Sequence, residues 1–328
     1  MYSKLPLVFF LIVLSALLAC KKNSAPKPQS NPNIDVYVAG YAYYGAAPIP
    51  IATYWKNNVA NRLVSDTTSS SMANAITLAG NDIYTAGTFL GSAAFWKNGQ
   101  VTKLTSIGSE AVAISLNGND VYVAGDIAIG NLRVAAYWKN GTMIRLVTDS
   151  SSFSKAYGIA CKGQDVYVVG YLTADGITQA VCWKNGQAII LGDGSVSSGA
   201  TAITIFGSDI YISGTVGNNS TNAVYWKNGV KNTISQTNSR AFGIAINDNN
   251  VYLVGDNSIF SGANLGNGVI TNLPFSSEAL AIALNGTDIY TAGSMLNGSK
   301  TDAVYWKNGA TTQLGQNAVA LGIALKAQ

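Results

Sequence analysis

One motif returns along the sequence at nearly regular intervals, and this repeat constrains the fold more than any other feature. Asp-x-Tyr-x-x-Gly occurs seven times, with Asn in place of Asp in the sixth copy. Successive copies begin 47, 38, 45, 44, 41 and 38 residues apart. A period of about forty residues with strand-like content is typical of β-propeller blades. The copies are Asp35–Gly40, Asp82–Gly87, Asp120–Gly125, Asp165–Gly170, Asp209–Gly214, Asn250–Gly255 and Asp288–Gly293.

A second motif, aromatic-Trp-Lys-Asn-Gly with small variations, follows the first motif in six repeats and contains all six tryptophans. In the sixth repeat, 264–268 keeps Asn-Gly but lacks the Trp. Asn-Gly between apolar segments predicts a tight hairpin, because both central residues of a type I′ turn need positive φ. Together with an Ala-x-Ala-Ile or Ala-x-Gly-Ile segment before most first motifs, each repeat predicts four antiparallel strands. We name these strands a, b, c and d in chain order; the first strand d is expected at Arg62–Ser65.

The two ends of the repeat region complement each other. The first motif copy, at Asp35, has no strand a before it, whereas Ala320–Leu325 has the pattern of strand a with no motif after it. We therefore expect 320–325 to complete the first sheet. The sequence predicts an all-β fold over residues 35–328: a seven-bladed β-propeller of four-stranded antiparallel blades, closed by the C-terminal strand joining the N-terminal blade.

The N-terminal segment predicts a membrane address. Residues 1–19 contain Lys4 and then a 15-residue apolar run ending in Leu-Leu-Ala before Cys20, which resembles the signal peptide and lipobox of bacterial lipoproteins. The run is short for a membrane span. The resemblance implies that Cys20 carries the lipid, and the polar, Pro-rich residues 20–34 predict a flexible tether. We expect a lipid-anchored protein of the bacterial outer membrane or cell surface, with no other membrane contact.

Composition excludes several function classes. The chain has no histidine, which removes Ser–His and Cys–His catalysis and His-bound metal sites. Four of the 20 basic residues precede Asp35, which leaves 20 − 4 = 16 against 16 acidic residues. A neutral ring gives no argument for nucleic acid. We predict no cofactor, no metal site and a monomer.

Two sets of residues have structural explanations. The motif aspartates are expected to cap the tight turns that precede them, rather than to form a metal ring. Cys161 and Cys182 fall on strands a and c of one blade. Strands two apart are separated by roughly 9–10 Å, too far for a disulfide. We therefore expect buried free thiols.

The loops at one end of the blades carry the variation. In this strand order, the a–b and c–d turns share one face, and the b–c and d–a loops share the other. Turn sequences on the first face hardly change between repeats, whereas the loops of the second face vary in length and content. Binding sites of repeat scaffolds lie on variable loops, so we place the function on the b–c/d–a face.

One position on that face stands out, the residue x of a Ser-x-Ala pattern before strand a. Glu110 and Glu278 are the only glutamates of the chain, and both are expected at the mouth of the central channel. Three interpretations stay open: ion pairs between adjacent blades (Glu110 with Lys155, Arg240 with Glu278), a polar ligand-binding funnel, or a catalytic pair. Glycosidase carboxylates lie about 5–9.5 Å apart, which a span across the mouth is expected to exceed. Around the ring the position reads Met72, Glu110, Lys155, Gly199, Arg240, Glu278 and Val319.

Residues just after strand b form a second set of candidates. The longest b–c loop, predicted at 41–50, contains Tyr41, Tyr43 and Tyr44. Exposed tyrosines offer stacking faces with hydroxyl tips, which suit sugars or peptides; alternatively, they pack on their own blade. Equivalent loop positions in other repeats hold Asp126, Tyr171 and Asp256.

The DVYVAG…YWKNG pattern resembles repeats in bacterial surface lipoproteins, chiefly of the Bacteroidota type, over residues 35–328. The resemblance implies a propeller and brings no established activity. The Asp-box pattern of sialidases is absent. We favour a non-enzymatic binding or scaffold propeller for a glycan, peptide or protein partner. The alternatives are an extracytoplasmic carbohydrate-active hydrolase or lyase, using Glu110 or Glu278 with Lys155, Arg240 and a tyrosine, and a purely structural envelope component.

Overall fold

The computed structural model describes residues 33–44, 49–105, 108–148, 152–218, 220–248, 250–257, 261–266 and 269–328. The predicted signal peptide, Cys20 and the tether up to residue 32 lie outside the described residues. Within the described ranges, the structure contains no helix with the length and apolar character that a membrane span requires. Residues 34–328 form one compact unit.

All regular elements of the described ranges are β-strands. Those of the first half of the chain are β1 (Ile34–Tyr43), β2 (Pro50–Lys56), β3 (Val59–Arg62), β4 (Ser71–Ala79), β5 (Asp82–Phe89), β6 (Ser92–Lys97), β7 (Gln100–Lys103), β8 (Ser109–Asn117), β9 (Asp120–Ile129), β10 (Leu132–Lys139), β11 (Thr142–Arg145), β12 (Phe153–Lys162), β13 (Asp165–Ala174), β14 (Ile177–Lys184) and β15 (Gln187–Ile190). Those that follow are β16 (Ser198–Phe206), β17 (Asp209–Val216), β18 (Asn222–Lys227), β19 (Val230–Thr237), β20 (Ser239–Asn247), β21 (Asn250–Asn257), β22 (Ser261–Gly266), β23 (Val269–Phe275), β24 (Ser277–Asn285), β25 (Asp288–Asn297), β26 (Lys300–Lys307), β27 (Ala310–Gln316) and β28 (Ala318–Ala327).

The strands of the described ranges form seven four-stranded antiparallel sheets. Sheet 1 has the order β28-β1-β2-β3, and the others follow the chain as β4–β7, β8–β11, β12–β15, β16–β19, β20–β23 and β24–β27, which we number sheets 2 to 7. The predicted all-β propeller of four-stranded antiparallel blades is confirmed. Strand d begins earlier than expected in sheet 1, at Val59 rather than Arg62, because pairing resumes directly after the tight turn with Lys56 opposite Val59.

Sheet 1 combines the two ends of the chain. β28 pairs with β1 in antiparallel register, from Ile34 opposite Ala327 to Ala42 opposite Ala318. β28 also contacts β4 of sheet 2 and β24 of sheet 7. The expected pairing of the C-terminal segment with the first sheet is therefore present.

The repeated charged residues hold the c–d hairpin against strand b. In sheet 5, Asn228 has a φ of 50°, donates from its side chain to Asp209 Oδ1 (2.8 Å) and accepts from the Ile210 amide (2.9 Å). Lys227 Nζ lies 2.8 Å from Asp209 Oδ2 and 5.2 Å from the centroid of the Tyr211 ring. The same Asp–Lys pair, at 2.9–3.1 Å, recurs in five other sheets.

This arrangement corrects the role expected for the motif aspartates. They do not cap the turn that precedes them; they bind the Lys and Asn of the c–d hairpin in their own sheet. The sixth repeat supports this explanation, because it replaces both members of the ion pair together, with Asn250 for Asp and Gly266 for Lys. The motif's Asp, Tyr, Lys and Asn are thus structural.

The glycine that ends each first motif makes room for a bulge in strand a. The register of strand a shifts opposite this glycine in six of the sheets and in β1–β28. A methyl group placed on any of these glycines would lie 1.8–2.2 Å from the carbonyl oxygen of residue x in strand a. No side chain fits there, so the bulge requires glycine.

The core lies between neighbouring sheets. All six tryptophans are at most 1% exposed, and they pack with small residues of strands b and c. The Ser of Ser-x-Ala joins one sheet to the next, as where the Ala180 amide of β14 donates to Ser198 Oγ of β16 (2.9 Å). Cys161 is half-buried and Cys182 is buried, and both thiols are free, as expected. Burial raises the pKa of Cys182 to about 12.

Candidate functional site

One cavity of about 690 Å³ is lined by strand a of all seven sheets. We call it the channel cavity. Each sheet contributes the extra residue of its bulge, because a bulge redirects the side chain it displaces. Most of these residues are apolar or aromatic: Asn74, Val112, Tyr157, Thr201, Phe242, Leu280 and Leu321.

The two sets of sequence-predicted site residues are cross-strand partners. In every sheet, residue x of Ser-x-Ala in strand a lies opposite the residue that follows the motif glycine in strand b. Directly opposite residues project from the same side of a sheet, so the two sets form one surface. The pairs are Val319 with Tyr41, Met72 with Thr88, Glu110 with Asp126, Lys155 with Tyr171, Gly199 with Thr215, Arg240 with Asp256, and Glu278 with Ser294.

Their placement corrects the predicted loop. Tyr41 and Tyr43 lie in β1, Asp126 in β9, Tyr171 in β13 and Asp256 in β21, not in loops. Strand b continues past its glycine because the bulge in strand a restores the pairing beyond it. The candidates therefore sit on a regular sheet surface, which fixes their positions more firmly than a loop would.

Glu110, Asp126, Arg133 and Lys155 form a four-membered ion network, which we call the Glu110 cluster. Lys155 Nζ of sheet 4 lies 3.0 Å from Glu110 Oε2 and 3.8 Å from Asp126 Oδ2 of sheet 3. Arg133 pairs with Asp126 and lies 4.0 Å from Glu110. The predicted Glu110–Lys155 ion pair between adjacent sheets is confirmed. Two acids and two bases make the cluster neutral.

Asp126 is fully buried beneath this network. Its burial raises the pKa of its carboxyl group, and the charges of Arg133 and Lys155 counteract that effect. Removing one partner of a buried pair leaves an uncompensated charge, which is strongly destabilising. Asp126 therefore supports the cluster from below and is not itself available to a ligand.

An aromatic group lies beside the cluster. Lys155 Nζ is 5.4 Å from the Tyr157 ring centroid, the Tyr157 and Tyr171 centroids are 5.9 Å apart, and Tyr171 stacks on Phe153 at 6.1 Å. Burial raises the pKa of Tyr157, and burial together with Tyr157 raises the pKa of Tyr171 to about 12. Both phenols thus stay protonated at neutral pH.

A second cavity of about 830 Å³ brings together four candidates from distant parts of the sequence. Tyr41, Arg240, Asp256 and Glu278 all line it, and we call it the Glu278 pocket. It shares Arg240, Leu280 and Leu321 with the channel cavity, so the two spaces have a common wall. Glu110 and Glu278 are both expected from the sequence at the mouth of the central channel. Glu110 lines the channel cavity, whereas Glu278 lines the adjoining pocket and not the channel cavity.

The predicted ion pair between Arg240 and Glu278 is wrong. Arg240 instead binds its cross-strand partner Asp256, with Nε 3.1 Å from Oδ1 and 3.2 Å from Oδ2 and a further contact through the second guanidinium nitrogen. The guanidinium also lies 5.1 Å from the Phe242 ring centroid. A guanidinium bound by both oxygens of one carboxylate has fewer N–H groups free to bind Glu278.

Glu278 is left without an ion pair within 4.0 Å among the residues that the structure describes. Although its side chain is open to solvent, desolvation by the pocket walls raises the pKa of its carboxyl group. The negative charge of Asp256 acts in the same direction, and Arg240 opposes it. On β1 of sheet 1, burial is the main cause that raises the pKa of Tyr41, and the rings of Tyr41 and Tyr43 meet edge to face at 5.7 Å.

The three tyrosines predicted to act together have different roles. Tyr41 lines the Glu278 pocket, and Tyr43 is 40% exposed beside it. Tyr44 turns to its own sheet, with its hydroxyl 3.3 Å from Thr53 Oγ1 and the Arg62 guanidinium 5.2 Å from its ring centroid. Packing on its own blade, one of the two alternatives, is therefore correct for Tyr44.

Three residues of the site, Arg133, Tyr157 and Phe242, were not predicted from the sequence. Tyr157 and Phe242 are the second residues after position x, which is where the bulge displaces a side chain into the channel cavity. That offset is regular and could have identified them. Arg133 belongs to strand c and carries no repeat signal. No cluster of three or more Cys, Asp or Glu side chains suited to a metal occurs among the described residues.

Comparisons with known proteins give no family. No protein-family model matches the chain, and no curated protein matches it. Three solved structures align at low identity: a candidate 6-phosphogluconolactonase from Bacteroides fragilis (11% identity, TM-score 0.48, covering 92% of this chain and 100% of that one), TolB from Acinetobacter baumannii (11%, 0.49, 87% and 63%), and the polysaccharide lyase Uly1 (10%, 0.46, 90% and 88%). At these identities and scores, none of them assigns a function to this chain.

Proposed function

We propose that the chain is a lipoprotein, lipidated at Cys20 and tethered to the bacterial outer membrane or cell surface, whose propeller binds a glycan, peptide or protein partner without catalysing a reaction. Its seven sheets would be the blades of one closed ring. Support for closure comes from the β1–β28 pairing and from the channel cavity, which strand a of every sheet lines. The lipobox-like sequence before Cys20 supports the anchor.

One observation carries the binding function. Tyr41, Arg240, Asp256 and Glu278 are up to 237 residues apart in sequence (278 − 41 = 237), yet they line one pocket of about 830 Å³. Cavities of roughly 300–1,000 Å³ with a few convergent polar groups are typical ligand sites. A regular propeller needs none of these four side chains, because the Asp–Lys–Asn contacts of the hairpins lie at the opposite ends of the strands.

The experiment is a glycan-array and peptide-array screen with the labelled full chain in detergent, followed by variants. Tyr41→Ala and Arg240→Ala are expected to weaken every specific signal, because each removes part of the pocket wall. Tyr44→Ala serves as the matched control, since Tyr44 packs on its own sheet. Signals that survive both pocket variants, or that fall equally in the control, would contradict the proposed site.

The hydrolase or lyase alternative has less support. The tyrosines next to the Glu110 cluster keep their protons, which does not suit a phenolate base. Glu278 has a raised pKa, as a general acid requires, but the adjacent carboxylate of Asp256 is held by Arg240. Turnover of any arrayed glycan that disappears in Glu278→Gln or Glu110→Gln would favour the enzyme instead.

A further inference from the structure

The charged side chains that line the two cavities differ in whether they have an ion-pair partner. Four charged side chains line them: Glu110, Arg240, Asp256 and Glu278. Glu110 is paired with Lys155, and Arg240 and Asp256 are paired with each other. Among the described residues, Glu278 alone of these four has no ion pair. The lining therefore presents one free negative charge.

This pairing disfavours an anionic ligand. A phosphate, sulfate or uronate would need Arg240 or Lys155, and each of these cations is already held by a carboxylate. Arg133 is held by the buried Asp126. Taking Arg133 from the buried Asp126 would leave that carboxylate unpaired, which is costly. Arg240 is 53% exposed, and it is occupied through its contacts with both oxygens of Asp256. A cationic ligand displaces nothing when it approaches Glu278.

Part of the wall around Glu278 is apolar. Leu280, Leu296, Val319 and Leu321 line the pocket together with the hydroxyl residues Ser276, Ser277, Ser294 and Thr301. Lysine and arginine carry a methylene stem that packs along apolar surface while the charged end reaches a polar partner. The free carboxylate beside four apolar side chains therefore matches a basic amino-acid side chain.

The aromatic ring of Tyr41 provides a second group in the pocket that could attract a cationic ligand. Its ring lines the pocket, and the edge-to-face contact with Tyr43 restrains it. An ammonium or guanidinium group over a tyrosine ring is attracted by the ring's quadrupole. A carboxylate and an aromatic ring in one pocket both select positive charge.

We propose that the Glu278 pocket binds a lysine or arginine side chain of a peptide or protein partner, with the charged end at Glu278 and Tyr41 and the stem along Leu280, Val319 and Leu321. This proposal rests on the proposed binding function and specifies its ligand. The raised pKa of Glu278 agrees with it: desolvation is the main cause, the charge of Asp256 adds to it, and a bound cation would oppose both effects.

The test uses a peptide array in which the central residue of an otherwise Gly/Ser peptide, blocked at both ends, is varied through all twenty types. The probe is the labelled full chain in detergent at moderate ionic strength. Lys and Arg peptides are expected to give the strongest signals. Loss of one charge-assisted contact in Glu278→Gln is expected to weaken their binding roughly tenfold or more.

Glu110→Gln is the matched control, because it removes the same charge from the same face but from a carboxylate that Lys155 already pairs. It is expected to keep the preference for Lys and Arg. A preference for acidic or neutral central residues would overturn the proposal, as would Lys and Arg signals that Glu278→Gln leaves unchanged. Circular dichroism is used to check that both variants are folded.

A second array of glucosamine oligosaccharides separates the ligand classes. Stronger Glu278-dependent binding to these than to any peptide overturns the peptide assignment while the binding function stands. Ligands that depend on Tyr41 but not on Glu278 overturn this inference alone. If no arrayed ligand depends on Tyr41, Arg240 or Glu278, both the inference and the proposed function fail.

Discussion

At the scale of single residues, glutamates of the same repeat position behave differently because of their neighbours. Glu110 and Glu278 both occupy position x, but the cross-strand partner of Glu110 is Asp126 and that of Glu278 is Ser294. Asp126 attracts Arg133 and Lys155, and these cations also pair with Glu110. Ser294 attracts no cation. Among the described residues, one carboxylate thus belongs to an ion network and the other has no ion pair.

The free carboxylate predicts a pH dependence of stability. The groups around Glu278 are Arg240 on β20, Asp256 on β21 and Tyr41 on β1. Desolvation is the main cause that raises the pKa of Glu278 from the ordinary 4.5; the charge of Asp256 adds to this effect, and Arg240 opposes it. A raised folded-state pKa means that this glutamate's stabilising contribution is complete below the unfolded-state value and is lost as pH rises through the folded-state value. Glu278→Gln lacks this loss. Its melting temperature relative to wild type is therefore expected to increase between about pH 4 and about pH 7; a constant or decreasing difference would contradict the expectation.

The motif glycines give a prediction with an internal control in sheet 5. A methyl group on Gly214 would lie 2.2 Å from the Gly199 carbonyl oxygen and 2.7 Å from Trp226, whereas one on Gly199 meets no heavy atom within 4 Å. Gly214→Ala is expected to lower the free energy of unfolding by about 2 kcal/mol or more. Gly199→Ala should change it by less than about 0.5 kcal/mol. Denaturant titration measures both, and equal effects would show that the bulge tolerates a side chain.

At the scale of elements, the c–d hairpin is stabilised by its contacts with the start of strand b. In sheet 5 the Asn228 side chain bonds both the Ile210 amide and Asp209, while its own backbone takes the left-handed conformation that the turn needs. One residue therefore supplies turn geometry and cross-strand bonding. This double requirement explains why Lys-Asn-Gly recurs with so little change.

Two substitutions separate these contributions. Asn228→Gly keeps the positive φ but loses the side-chain hydrogen bonds, and is expected to cost about 1 kcal/mol. Asn228→Ala loses the bonds and strains the turn, and is expected to cost about 1 kcal/mol more. Thermal unfolding should rank wild type above Gly and Gly above Ala. If the Ala variant were as stable as the Gly variant, the turn conformation would not contribute.

Most of the element order could be predicted, because most strands pair with their neighbours in sequence across tight turns. The Gly, Asn and Asp residues of these turns can be recognised in the sequence. Strand ends could not be predicted, since pairing beyond Gly125 or Gly255 depends on a bulge in the opposite strand. For the same reason the sequence placed Asp126 and Asp256 in loops. Asp256 and Glu278 are both acidic residues near Arg240. Only the register of β20 against β21 shows that Asp256 lies directly opposite Arg240.

At the scale of the whole molecule, the described residues form seven sheets, and sheet 1 combines strands from residues 34–62 with the strand at residues 318–327. Ala318 and Ala320 of β28 are fully buried, and Ile323 packs in the same core cluster against residues of sheets 1 and 7. The C-terminal strand is thus an interior element, although it is last in sequence. Only 11% of the chain is charged, so an uncovered sheet would expose mostly apolar surface and unpaired backbone.

Truncation tests this dependence. A chain ending at Gln316 lacks β28, so β1 keeps its pairing with β2 but loses its partner on the other edge, and the neighbouring sheets are uncovered. We therefore expect loss of cooperative unfolding and of near-ultraviolet circular dichroism. A chain ending at Ala327 keeps the whole strand and loses only the Gln328 side-chain bond to Asp35. It should melt like wild type. A cooperative transition at the wild-type temperature in the shorter chain would contradict the role of β28.

The pairing of β28 with β1 also determines when sheet 1 can be completed during synthesis of the chain. When synthesis has reached Gln316, sheets 2 to 7 have all their strands, whereas sheet 1 still lacks β28. β28 can pair with β1 only after residues 318–327 have been synthesised, so sheet 1 is completed last. A chain that ends before β28 keeps an unpaired edge on β1, and such an edge favours pairing with other chains.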